Sequence, residues 1–82
     1  MTDLEAVMYH MKWVGRYEAT CDDYLRLARE NNANGWSNMA EYYDERAQAM
    51  RELAGQHAQS AEKAAARVRA VLMAAADREA TP

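Results

Sequence analysis

One cysteine, one proline at the last position and three glycines are all that 82 residues contain of the residues that staple or break a chain. A lone thiol, Cys21, closes no internal disulfide, and small domains of oxidising compartments usually carry several bridges, so a reducing, cytoplasmic setting is expected. With 50% apolar and 28% charged residues, disordered and collagen-like chains are excluded. Long hydrophobic runs are missing too: nothing approaches the roughly 20 apolar residues of a membrane span, and no charged segment precedes an apolar run at the start, so neither a membrane helix nor a signal peptide is expected. Charge of one sign is also lacking. The net charge is −3, and acids and bases are mixed along the chain, which argues against a polyanion as partner. Residues 1–82 make one domain, of a size at which folding buries only about 60% of the unfolded surface, so help from a partner chain is expected.

What the sequence has is helical periodicity. Thr2 with Glu5 three residues on reads as a capping box. Apolar residues then recur at Leu4, Val7, Met11, Val14, Cys21, Leu25 and Ala28, predicting a first helix over about 3–30. Asn31, Asn32, Asn34 and Gly35 form the composition of a C-cap and turn over about 31–36. Ser37 is placed to cap a second helix over about 37–78, with fraying expected at 79–82. One face of this helix carries Trp36, Met39, Tyr43, Ala47, Met50, Leu53, Ala54, His57, Ala61, Ala64, Val68, Val71, Leu72 and Ala75. The stripe keeps its phase through Gly55, which predicts one continuous helix of roughly 60 Å at 1.5 Å per residue. The expected fold is all-α, two long antiparallel helices, pairing with a second copy into a four-helix bundle. A three-helix bundle broken near Gly55 is the alternative.

With the turn near Asn34, residue n of the first helix pairs with about residue 68 − n of the second. Leu25 then meets Tyr43, Val14 meets Ala54 and Val7 meets Ala61. The first helix is exhausted before Val68, Val71, Leu72 and Ala75, an uncovered apolar stripe that predicts a homodimer interface. The first helix also carries more apolar surface than one neighbour covers. Beside Val7, Val14, Cys21 and Leu25 runs a line of Tyr9, Trp13, Tyr24 and Leu27, with Tyr17 between, so the arc spans roughly 200° where about 100° is usual. Trp and Tyr dominate binding energy at protein interfaces, which makes Tyr9, Trp13, Tyr17 and Tyr24 the candidate site for another protein. Arg46 falls inside the apolar arc near Asp22, and a structural ion pair between the two is expected.

Catalytic and cofactor chemistry is not written here. His10 and His57 fall at similar heights, close enough that the two can touch. Cys21 stands about 16 Å along the helix from His10, too far to share one metal. Adjacent acids such as Asp22 with Asp23 point about 100° apart, and no Gly-rich phosphate loop is present. No enzyme activity, metal or cofactor is expected. The bases of the second helix, Arg46, Arg51, Lys63, Arg67, Arg69 and Arg78, are spread around it among acids, so nucleic acid is not the expected partner.

Trp36 stands in the turn between two long helices, and a hairpin of this length with a turn Trp resembles the Trp-x-Gly hairpin family, small dimeric helical proteins exported by specialised secretion systems. That family's Gly two residues after the Trp is Asn38 here, and its Tyr-containing C-terminal export signal has no counterpart in the Ala-rich tail. The resemblance implies a secreted hairpin protein as one alternative function, and a nucleic-acid-binding regulator is another. The primary expectation is a non-enzymatic protein-binding module acting as a regulator, adaptor or inhibitor. Its size, acidity and helical surface suit the small inhibitors that phages and mobile elements direct at host proteins.

Overall fold

The computed structural model describes residues 1–80. Two helices make up the chain: α1, Asp3–Ala33, and α2, Ser37–Ala80. Thr2 opens α1 with the expected capping box, its hydroxyl accepting from the Glu5 N–H while the Glu5 carboxylate returns to the Thr2 N–H. The exit from α1 is a Schellman turn. The Trp36 N–H donates to the Asn31 carbonyl at 2.9 Å and the Gly35 N–H to Asn32 at 3.1 Å. Gly35 sits at φ +79°, the one positive φ among the described residues, where a side chain would be strained. The turn is shorter than 31–36 because α1 continues through the asparagines to Ala33. Ser37 is the first residue of α2 rather than its cap, and the Trp36 carbonyl opens the ladder by accepting from Ala40.

No break occurs at Gly55, which lies inside α2, so the hairpin is the fold and the three-helix alternative does not form. Helix 2 reaches Ala80; of the tail expected to fray, Thr81 and Pro82 lie outside the described residues.

The seam between the helices has a spacing of seven. Buried residues are Val14, Cys21 and Ala28 of α1, and Ala40, Ala47, Ala54, Ala61 and Ala64 of α2. Beside these rows run His10, Tyr17 and Tyr24 on α1 and Tyr43, Met50 and His57 on α2, all half-buried and again seven apart. Steps alternating between three and four are those of a coiled coil, in which slight under-winding keeps one face turned to the partner. The row of alanines on α2 presents only methyl groups to α1, small side chains of the kind that permit close helix packing. Tertiary contacts confirm the level pairing, since His10 meets His57 and Tyr24 stacks on Tyr43. Trp36 and Met39, expected on the buried arc, are exposed instead. They lie before or beside Ala40, where the seam begins.

This core is thin. Every buried side chain is Ala, Val or Cys, and each buried carbon contributes only about 0.8 kcal/mol. The molecule is 72 × 21 × 13 Å, a single layer of two helices. An Asp3–Arg67 ion pair at 2.8 Å marks the last level at which both helices are present. Beyond it α2 continues alone for about 20 Å.

Candidate functional site

On α1 the aromatic residues occupy seam positions and the flank beside them, and the fold gathers three of them around one pair of histidines. The Nδ1 atoms of His10 and His57 stand 2.8 Å apart across the seam. Trp13 and Tyr17 both stack on the His57 ring, with centroids at 6.3 and 5.7 Å and interplanar angles of 22° and 21°. Tyr9 meets His10 edge-on at 5.2 Å. The Arg16 guanidinium lies over the indole of Trp13, 5.2 Å from its centroid. Tyr24 is two turns away, stacked on Tyr43 at 6.0 Å. Of the four candidate residues, then, Tyr9, Trp13 and Tyr17 share one cluster and Tyr24 belongs to a second. Tyr17 and Tyr24 face α2 directly, because the seven-residue seam turns them inward. Tyr9 remains 45% exposed, while Trp13 is half-buried at the edge.

The expected ion pair between Asp22 and Arg46 is absent among the described residues. Arg46 is exposed, and its guanidinium lies over the Tyr24 ring, 5.9 Å from the centroid. Asp22 instead lines a groove on the opposite flank of the hairpin with Glu18, Cys21, Arg51, Ala54, Gly55 and Ala58. The two residues are level but stand on opposite sides of the seam, a separation that a height rule alone does not detect. The groove holds about 430 Å³ and is shallow because its floor is Cys21 and alanine.

Apolar residues are exposed at both ends of the hairpin, Trp36, Met39 and Tyr42 beside the turn and a larger set at the open end. On the overhang, Val71 and Leu72 are 65% and 64% exposed, and Val68 and Ala75 are half-buried. A second patch lies on α1, where Leu4, Met8 and Met11 are 60%, 66% and 51% exposed. Leu4 and Met11 were expected to face α2, but they flank the seam one step outside it. Their spacing carried a readable signal: Met1, Leu4, Met8 and Met11 repeat by three, four and three, a second stripe of the same period.

Among the described residues no three His, Cys, Asp or Glu side chains group as metal ligands, and no helix is long and apolar enough to cross a membrane. In comparisons with known proteins, no family model, no curated protein and no solved structure matches this chain.

Proposed function

We propose that this chain is a non-enzymatic protein-binding module that pairs with a second copy of itself and acts on another protein as a regulator, adaptor or inhibitor. One observation carries this reading. The hairpin exposes 6178 Å² at a mass of 9.3 kDa, where a folded monomer of that mass exposes about 5,000 Å². The excess of roughly 1,200 Å² exceeds the area of about 800 Å² that each partner contributes to a standard interface.

The second copy belongs at the open end, where the seam of α2 continues as Val68, Val71, Leu72 and Ala75 with no helix opposite. A symmetric contact there gives each copy what it lacks, and closed twofold pairing is the commonest assembly of soluble proteins. The exposed sides of Tyr9, Trp13, Tyr17 and Tyr24 then serve a helix of the target laid along α1, as amphipathic helices do in other recognition grooves. Free, buried Cys21 fits a reducing cytoplasm.

Sedimentation equilibrium at micromolar concentration tests the reading. A dimer is expected, and Leu72→Glu is expected to weaken it at least tenfold, about 1.4 kcal/mol, with helicity retained. A strict monomer overturns self-association.

A further inference from the structure

The histidine pair is the most specific chemistry in the molecule, and the proposed self-association does not depend on it. An Nδ1-to-Nδ1 contact of 2.8 Å is a hydrogen bond, and two imidazoles make it only if one nitrogen carries a proton and the other does not. One ring is therefore the Nδ1–H tautomer and the other holds its proton on Nε2. A first added proton preserves the bond, since an imidazolium donating to a neutral ring is a charge-assisted pair. A second added proton leaves two N–H groups and two positive charges pointing at each other with no acceptor between them.

Among the described residues no carboxylate stands beside the pair to neutralise that second charge. From α1 the groups facing the pair are Tyr9, Trp13 and Tyr17. Arg16, over Trp13, adds a further cation. On α2 the neighbouring seam and flank positions are Met50, Leu53, Ala54, Ser60, Ala61 and Ala64, none of which ionises. The carboxylate nearest along the seam, Asp3, is bound to Arg67 at 2.8 Å, and among the described residues no ion pair reaches either histidine. A metal would need more ligands than two nitrogens.

We infer that His10 and His57 form a proton-sensitive latch between α1 and α2, closed while the pair holds at most one extra proton and forced open when both rings are charged. The unfolded chain accepts two extra protons and the closed hairpin one, so stability is lost as pH falls through the step that charges the second ring. A difference of one bound proton corresponds to about tenfold in the folding equilibrium per pH unit once both rings of the unfolded chain are charged.

Urea unfolding of the full chain, followed by circular dichroism from pH 8 to 5 at constant ionic strength, tests this against His10→Asn and His57→Asn. Asn keeps a hydrogen-bonding group near the Nδ1 position and cannot become charged. The wild-type folding constant is expected to fall toward pH 5 with a slope approaching about tenfold per pH unit, and each variant to lose that slope whatever its stability at pH 8. Parallel slopes in wild type and variants overturn the latch. Nitrogen-15 NMR of the wild-type rings at pH 8 provides a check that needs no variant: one Nδ1–H and one Nε2–H tautomer are expected, and two Nε2–H rings overturn it.

Discussion

The two ends of this hairpin are built from the same seven-residue repeat but stand in opposite conditions. At the turn end, a Schellman turn and Gly35 bring the helices together, and the small side chains of Ala28 and Ala40 are buried between them. At the open end the repeat continues through Val68, Val71, Leu72 and Ala75 with α1 already finished. The difference teaches that a repeat makes a core only where a second helix supplies the facing half. Where it does not, the same residue pattern becomes an exposed stripe available to another chain.

The largest effect that sharpens this contrast is expected from Ala47→Leu. Ala47 is 1% exposed in the paired seam, and forcing three more carbons between the helices should cost about 3 kcal/mol, read as a lower urea midpoint. Ala75→Leu, at the equivalent repeat position on the overhang, should leave the midpoint of the isolated hairpin unchanged. Equal losses at both positions would mean that the overhang is already packed in the single chain.

Trp13 divides the aromatic face between the hairpin and a target. If its outer side serves a target helix, Trp13→Ala weakens binding at least tenfold, about 1.4 kcal/mol, while helicity and oligomeric state persist; affinity capture from lysate, followed by titration of the recovered protein, measures it. Dissociation or melting of the protein by the same substitution would place the indole in its own core, as its stacking on His57 partly does.

The smallest effects come from two glycines within the helices. A methyl added at Gly15 or Gly55 meets nothing within 4 Å, so either Gly→Ala change should raise stability by just under about 1 kcal/mol, seen as a higher melting temperature. Gly55 also lines the groove beside Arg51. A gain at Gly15 with no gain at Gly55 would show that the groove side is occupied in the assembled protein.

Much of this architecture could be read from residue order. The Thr2 and Glu5 cap, the glycine turn, the unbroken phase through Gly55 and the level pairing of His10 with His57 all rest on short-range rules, because capping, positive φ and rise per residue act within a few residues. Other features escaped. The expected face of α2 held Trp36 and Met39 and left out Ala40, yet Ala40 is the buried one, because a supercoiled pair selects residues every seven rather than by hydrophobicity. Arg46 and Asp22 matched in height and differed in side. The methionine stripe at Leu4, Met8 and Met11 was partly assigned to the core, since its period is that of the seam and only its phase differs.

The sequence by itself determined two helices, the turn between them and their unequal lengths, all consequences of local backbone preference and of where the breakers fall. Only the tertiary structure decided which of the parallel apolar stripes became the seam. The buried alanines of α2 present only methyl groups to α1, so the seam follows the row of small side chains rather than the larger apolar ones. It also brought the Nδ1 atoms of His10 and His57 within hydrogen-bonding distance. Residue spacing placed the two rings at one height; the close approach of the helices set them in contact.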